Sequence, residues 1–262
     1  MRVLVIRNPR SGQGDAGFPA YLDELSSLGV RPTIRSLEHD TPVDDLLIDA
    51  ASFDRVVAAG GDGTVSAVAH ALRDSGIPIV AYPAGTANLL ALNLRMPADP
   101  VELARLTVYG IGLQTDLGEI ECVAGHPAAE ELDPREDLPV PIERGTTRVG
   151  FAMIAGAGFD AAMIAGSEEL KPRFGIGAYV ASALAQLRPT VAEIKLTLDG
   201  EVHERSGIGV MLVNFGRIQG DLKVTPDADA HDGLLDVVVL KAHSAAGLVP
   251  VIARAAAEKI GI

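Results

Sequence analysis

The sequence feature that most constrains the fold is the run Gly60-Gly61-Asp62-Gly63-Thr64. An apolar segment precedes it at 55–59, and residues 65–72 place apolar side chains at helical spacing. This order predicts a buried strand, a tight glycine turn and an amphipathic helix. Glycines in such a turn let the backbone take positive φ angles and approach a ligand closely, while the helix directs its unpaired N–H groups toward the turn. The run therefore predicts a phosphate site, with a cation such as Mg²⁺ between the phosphate and Asp62. The alternative is a plain strand-to-helix turn with an aspartate near the N-cap.

Two more polar loops follow predicted strands in the same way. The loop 8–12, Asn8-Pro9-Arg10-Ser11-Gly12, follows the first strand, and the loop 83–88, Pro83-Ala84-Gly85-Thr86-Ala87-Asn88, follows the fourth. Asn8 and Ser11 can hydrogen-bond a phosphate or a ribose, and Arg10 can pair with a phosphate. The alternative for each loop taken alone is an ordinary turn, with Thr86 as a helix N-cap in the second. Because the carboxyl ends of parallel strands share one edge of a sheet, three such loops predict a nucleotide site there.

The order of predicted elements indicates two domains. Strands and helices alternate at first, which predicts a doubly wound parallel sheet with helices on both faces; the strands are 3–6, 33–37, 55–59 and 77–82, and the helices 18–28, 43–51, 64–72, 87–92 and 100–106. After about residue 110 strand-like segments dominate, including one at 148–155 and a hairpin turn at Asp199-Gly200. We therefore expect an α/β domain over 1–110 and a mainly antiparallel, β-rich domain over 111–262. Its predicted interruptions are a mobile insertion at 125–145 and helices around 161–165 and 176–187.

Composition excludes several classes of function. The net charge of −13 and an aromatic content of 4% without tryptophan argue against a nucleic-acid-binding protein. A single cysteine fits a reducing, cytoplasmic environment. No apolar run is long enough for a signal peptide or a transmembrane helix, so a lipid substrate would have to be reached at the membrane surface.

Five motifs occur in order along the chain: Asn-Pro-x-Ser-Gly at 8–12, Gly-Gly-Asp-Gly-Thr at 60–64, Pro-x-Gly-Thr-x-Asn at 83–88, Gly-x-Gly-Phe-Asp-Ala at 156–161 and Asp-Gly-x-Leu-Asp-Val at 232–237. Together they resemble the diacylglycerol kinase catalytic-domain family, which includes soluble bacterial lipid kinases and sphingosine kinases. The second motif is shared with NAD kinases, whereas the first, fourth and fifth favour lipid kinases.

The resemblance implies an ATP-binding first domain, a β-sandwich-like second domain and transfer of the γ-phosphoryl group of ATP to a lipid hydroxyl. It implies a nucleotide held by Asn8, Pro9, Arg10, Ser11, Gly12, Ser36, Gly60, Gly61, Asp62, Gly63, Thr64, Val65, Ser66, Gly85, Thr86 and Asn88. It places Mg²⁺ at Asp232, with main-chain oxygens of Asp229 and Leu234.

Two departures from the family pattern keep alternatives open. Leu89 stands where the family often has aspartate, and the chain ends at Ile262, whereas family members continue to an acidic catalytic residue in a Gly-Glu or Gly-Asp turn. Asp62 is then the candidate catalytic residue. The alternatives are an NAD kinase-like enzyme and a non-catalytic ATP-binding regulator. Without further strands a sheet edge would be exposed, and a partner or a second copy in a homodimer would cover it.

Overall fold

The computed structural model describes residues 1–11, 16–39, 41–123, 146–158, 191–219 and 222–241. The chain divides into two compact units, the first formed by Met1–Met153 with Ala230–Gly233 and the second by Ile154–Asp229 with Leu234–Ile262. The predicted insertion at 125–145 and the helices around 161–165 and 176–187 lie outside the described residues.

The first unit is built on a parallel sheet with the strand order β2-β1-β3-β4. Its strands are β1 (Val3–Arg7), β2 (Thr33–Ser36), β3 (Arg55–Gly60) and β4 (Ile79–Pro83). Its helices are α1 (Phe18–Ser27), α2 (Val43–Leu46), α3 (Asp62–Ala71), α4 (Leu89–Asn93) and α5 (Pro100–Tyr109). The chain leaves β1 toward β2 on one side and returns to β3 on the other. The loops after β1 and β3 therefore diverge at a switch point, where ligands bind in open sheets of this kind.

Burial of apolar strands on both faces holds this sheet together. Strands β1 and β3 are almost continuously buried, as expected for parallel strands covered by helices on both sides. On the face covered by α1 and α5, Phe18, Tyr21 and Tyr82 pack with ring centroids 5.0–6.0 Å apart. The Tyr21 hydroxyl lies 3.0 Å from Thr107 Oγ1, and burial raises the pKa of Tyr21 to about 12.

The predicted helix over 43–51 is wrong in length, because α2 ends at Leu46 and a short 3₁₀ turn follows at Ala50–Ser52. The Arg35 guanidinium donates to the Leu46 carbonyl oxygen at 2.6 Å and forms an ion pair with Asp49, also at 2.6 Å. The Ala50 amide instead donates to the Leu47 oxygen at 2.9 Å, the i→i+3 pattern of a 3₁₀ turn. A tertiary contact of Arg35 thus replaces the helical hydrogen bond that periodicity predicted.

The first unit also contains an antiparallel hairpin of β5 (Gly118–Val123) and β6 (Thr146–Phe151). The single strand predicted at 148–155 is wrong, since β6 ends at Phe151 and the next strand begins at Ile154 in the second unit. Gly150 leaves room for the ring of His70 on α3, which packs where a Cβ would lie. Burial there lowers the pKa of His70 below its ordinary value.

The second unit is antiparallel wherever it is described, as predicted. A sheet with the order β13-β10-β7 joins Asp236–Leu240, Gly209–Val213 and Ile154–Gly158. Separate hairpins pair β8 (Ala192–Leu198) with β9 (Glu201–Gly207) and β11 (Arg217–Gln219) with β12 (Leu222–Lys223). The predicted turn between β8 and β9 is confirmed, because Asp199 and Gly200 take positive φ angles of 50° and 87°, as a type I′ turn requires.

Within the described stretches, no helix combines the length and the apolar character needed to cross a bilayer.

Candidate functional site

The loop after β1 is a turn organised by Asn8. The Asn8 amide extends the sheet ladder by donating to Ala59 O at 2.9 Å, and its carbonyl accepts from the Ser11 amide at 3.2 Å. Its side-chain Oδ1 accepts from the Arg10 amide at 3.1 Å. One residue therefore sets both the position and the curvature of the turn 8–11.

This turn is docked onto the start of α3 by two hydrogen bonds. Asn8 Nδ2 donates to Thr64 Oγ1 at 3.1 Å, and the Gly61 amide donates to Ser11 Oγ at 3.2 Å. The loops after β1 and β3, which are about fifty residues apart in sequence, thus meet at one edge, as the sequence predicted.

Two glycines of these loops, Gly60 and Gly85, serve close packing. A Cβ on Gly60 would lie 2.5 Å from the Thr64 side chain, and a Cβ on Gly85 would lie 2.5 Å from Gly61 Cα. The expectation of positive φ angles in the run 60–63 is wrong, because none of its glycines has one. What the fold uses at Gly60 and Gly85 is the absence of a side chain; at Gly85 this lets the loops after β3 and β4 approach closely through their backbones.

The loop after β4 is held by Asn88, which takes a left-handed φ of 51°. Its side chain accepts from the Gly85 amide at 2.7 Å and donates to the Gly85 carbonyl at 2.8 Å. The prediction that Thr86 caps the following helix is wrong, since α4 begins at Leu89 and Asn88 occupies the N-cap position. Thr86 is exposed at the tip of the loop.

Asp62 connects the loop after β3 to α4. It is the first residue of α3 and is half-buried. Its Oδ1 accepts a hydrogen bond from the Leu90 amide at 2.7 Å. The carboxylate therefore has one oxygen anchored at the start of α4.

The first turn of α3 supplies the positive potential of this edge. The amide of Val65 donates to Gly61 O at 3.1 Å, so the amides of residues 62–64 precede the helical ladder. These amides and the helix dipole favour an anion. Gly63, exposed in this turn, has nothing within 4 Å of where a Cβ would stand.

The predicted nucleotide contacts fall into three groups by exposure. Pro9, Arg10, Gly63 and Thr86 are exposed. Gly60, Thr64 and Val65 are buried. The half-buried ones are Asn8, Ser11, Gly61, Asp62, Ser66, Gly85 and Asn88. Ser36, exposed at the end of β2, pairs in register with Arg7 at the end of β1 and so lies at the same edge. Gly12 lies outside the described residues.

The sequence reasoning did not single out Arg7. Its guanidinium lies 4.8 Å from the centroid of the Phe18 ring, at the start of α1. The available signal was a basic residue at the carboxyl end of β1, directly before Asn8. It adds a positive charge to the edge of the sheet where the loops meet.

The residues expected to bind Mg²⁺ belong to both units: Asp232 to the first, Asp229 and Leu234 to the second. The Gly233 amide donates to Asp116 Oδ2 at 2.7 Å within the first unit. In the part of the chain that the structure describes, no group of three or more His, Cys, Asp or Glu side chains is arranged to hold a metal ion. A Mg²⁺ ion that arrives with nucleotide phosphates needs only one or two protein carboxylates, and this sparse set fits such an ion.

Comparisons with known proteins agree with the predicted family. Residues 2–120 match the family model described as the diacylglycerol kinase catalytic domain. Residues 153–257 match that of the YegS C-terminal NAD kinase beta sandwich-like domain, as expected for the second domain.

Similar proteins carry related names. A diacylglycerol kinase from Mycobacterium tuberculosis is 29% identical over 253 residues, which cover 93% of this chain and 74% of the relative. A probable YegS-like lipid kinase from Klebsiella pneumoniae is 28% identical, over 81% of this chain and 64% of the relative. A crystal structure of a diacylglycerol kinase from Bacillus anthracis has the same fold, with a TM-score of 0.65, 22% identity, and coverage of 97% of this chain and 78% of the other. Both family models and these relatives agree, and the chain belongs to the diacylglycerol kinase catalytic-domain family with a YegS-type second domain.

Proposed function

We propose that this protein is an ATP-dependent lipid kinase, which transfers the γ-phosphoryl group of ATP to a lipid hydroxyl. The observation that supports this most directly is the joining of three polar loops at the carboxyl edge of the sheet, beside the first turn of α3. The names of the relatives support a lipid, of the diacylglycerol type or related, as the acceptor. In this proposal residues 1–110 bind ATP and residues 111–262 bind the lipid.

The phosphates of ATP would lie against the amides of residues 62–64, with Arg10 and Thr86 reaching them from the neighbouring loops. Phosphoryl transfer depends mainly on positioning and on neutralising the charge that develops on the transferred group. An amide cluster at a helix start supplies both without a change in protonation. Ser36, Val65 and Ser66 are further members of the set that the family resemblance implies for the nucleotide.

Mg²⁺ bound with the nucleotide would be held by Asp232 with main-chain oxygens of Asp229 and Leu234, and would lie near Asp62. When bound, it offsets the charge of the β- and γ-phosphates. Asp62 Oδ1 accepts from the Leu90 amide at 2.7 Å, so in this proposal Oδ2 is the oxygen that meets the bound nucleotide and its ion.

Asp62 is our candidate for accepting the proton of the lipid hydroxyl; the alternative role for this carboxylate is to bind the metal ion instead. A carboxylate held in place at the edge of the phosphate site can act as a general base when the hydroxyl lies within hydrogen-bonding reach. The lipid would be presented at the membrane surface, to which the protein would bind peripherally from the cytoplasm.

The test is a phosphoryl-transfer assay with purified protein, Mg²⁺ and ATP. The acceptors are diacylglycerol, phosphatidylglycerol and sphingosine in mixed micelles, with NAD⁺ in a separate arm. We expect one of the lipids to be phosphorylated. Asp62→Asn should lower the rate at least ~100-fold, the usual range for a general base. Asp23→Asn, which changes an exposed carboxylate on α1, is the matched control and should leave the rate unchanged.

Three outcomes would contradict the proposal. Formation of NADP⁺ without lipid phosphorylation would indicate an NAD kinase-like enzyme. Binding of ATP without turnover on any acceptor would indicate a regulator. Full activity of Asp62→Asn would remove Asp62 from the chemistry.

A further inference from the structure

The family resemblance implies that Asn8 and Thr64 contact the nucleotide, and the structure shows that their side chains are hydrogen-bonded to each other. Thr64 is only 6% exposed, and its side chain fills the space that the missing Cβ of Gly60 leaves open. A hydroxyl enclosed in this way faces the protein interior. It accepts a hydrogen bond from Asn8 Nδ2 at 3.1 Å.

Both polar atoms of the Asn8 side chain form hydrogen bonds within the protein. Oδ1 accepts from the Arg10 amide and Nδ2 donates to Thr64 Oγ1, both at 3.1 Å. The bond to Thr64 fixes the rotation of the side-chain amide, and this rotation in turn aims Oδ1 at the Arg10 amide. The Thr64 hydroxyl thereby determines the shape of a turn that lies 56 residues away in sequence.

From these contacts we propose that Asn8 and Thr64 act as one positioning pair, and that they affect nucleotide binding through the shape of the turn 8–11 rather than by touching the nucleotide. This inference rests on the proposed binding of ATP at this edge. Without the Thr64 hydroxyl, Asn8 Nδ2 loses its acceptor in a half-buried place, and such an unsatisfied group favours rearrangement. The Arg10 amide would then lose its acceptor, and the positions of Arg10 and Ser11 at the phosphate site would no longer be defined.

The experiment is a double-mutant cycle on the affinity for ATP with Mg²⁺, measured by titration calorimetry. Thr64→Val removes the hydroxyl and keeps the shape, and Asn8→Ala removes the other member. We expect each single change to raise the dissociation constant for ATP about 10-fold or more. The double variant should bind no more than about 3-fold more weakly than the single variant with the lower affinity, because the effects of residues that act as a unit are not additive. Thr64→Ser keeps the hydroxyl and should retain most of the affinity. Thr64→Ala replaces Thr64→Val if valine does not fold.

The matched control is Thr107→Val. Thr107 is also a buried threonine with a hydrogen-bonded hydroxyl, but its partners are Tyr21 and the Leu103 carbonyl, in the layer of α1 and α5. We expect a lower melting temperature and an unchanged affinity for ATP. A loss of affinity in Thr107→Val equal to that in Thr64→Val would mean that general destabilisation explains both, and it would overturn the proposal.

Two further results would also overturn it: wild-type affinity in Thr64→Val, or a double variant whose loss is the product of the single losses. A wild-type protein that does not bind ATP would instead contradict the proposed function. Hydrogen exchange in the ligand-free protein tests the pair in that case. Thr64→Val should speed exchange of the Arg10 and Ser11 amides about 10-fold while Thr107→Val does not, and unchanged exchange would show that the pair does not position the turn.

Discussion

A substitution at Gly63 should separate the stability of the fold from the affinity for the proposed ligand. It is the second residue of α3, it is exposed, its φ is not positive, and nothing lies within 4 Å of where a Cβ would stand. The fold therefore has no use for a glycine here. Glycine in a helix is less favourable than alanine by roughly 0.5–1 kcal/mol, so Gly63→Ala should raise the free energy of unfolding by up to ~1 kcal/mol.

The same change should weaken the binding of ATP with Mg²⁺. If the phosphates lie against the amides of residues 62–64, an added methyl group occupies their path. We expect the dissociation constant to rise at least ~10-fold, which corresponds to about 1.4 kcal/mol. Stability and affinity would then change in opposite directions, so loss of folded protein could not explain the weaker binding.

Urea unfolding and titration calorimetry on the same preparations measure both quantities. Ala67→Gly, at a half-buried position of the same helix, is the reciprocal control. It should lower the free energy of unfolding by ~1 kcal/mol and leave the affinity unchanged. Gly60→Ala should impair both stability and binding, because its Cβ would lie 2.5 Å from the Thr64 side chain. Wild-type affinity in Gly63→Ala, or a clear loss of stability, would refute this reasoning.

Three further predictions concern stability. The pKa of the Tyr21 phenol is about 12 in the folded protein and 10.0 in the unfolded protein, so the unfolded state loses its proton first as the pH rises. The free energy of unfolding should therefore fall by roughly 2–3 kcal/mol between these two pH values. Urea titrations at pH 9 and 11.5 measure this fall, and Tyr21→Phe should remove it. Burial is the main cause that lowers the pKa of His70 from its usual 6.5, so the unfolded state binds a proton first on acidification. The melting temperature should therefore decline as the pH drops through 6.5. An equal decline in His70→Phe would contradict this assignment. Gly200→Ala places a Cβ on a residue with a φ of 87° and should lower the free energy of unfolding of the second unit by about 1 kcal/mol. Faster hydrogen exchange in β8 and β9 would measure this loss, and unchanged exchange would mean that the turn adapts.

Much of the site could be predicted because its loops follow parallel strands. Alternating apolar segments and helical periods predicted β1, β3, β4 and the helices between them, and the carboxyl ends of parallel strands share one edge. The meeting of loops 8–11, 60–64 and 83–88 at that edge therefore follows from element order alone. The antiparallel second unit was predicted similarly, from strand-like segments and the Asp199-Gly200 turn.

Sequence reasoning failed where a contact between distant residues decided the outcome. Periodicity predicted a helix through residue 51, but the Arg35 guanidinium donates a hydrogen bond to the Leu46 carbonyl oxygen, and α2 ends at Leu46. The segment 148–155 is apolar throughout much of its length, and nothing local shows that it divides between two units.

The amino-acid sequence by itself determined the order of strands and helices, the family, and which loops reach the edge of the sheet, because these depend on local pattern and chain direction. Only the tertiary structure decided how each polar side chain is used there. It buried the Thr64 hydroxyl against Asn8 and anchored Asp62 on the Leu90 amide, across separations of 56 and 28 residues. The physical reason is that a side-chain hydrogen bond forms only between atoms that packing brings within about 3 Å, and no spacing along the chain specifies that proximity.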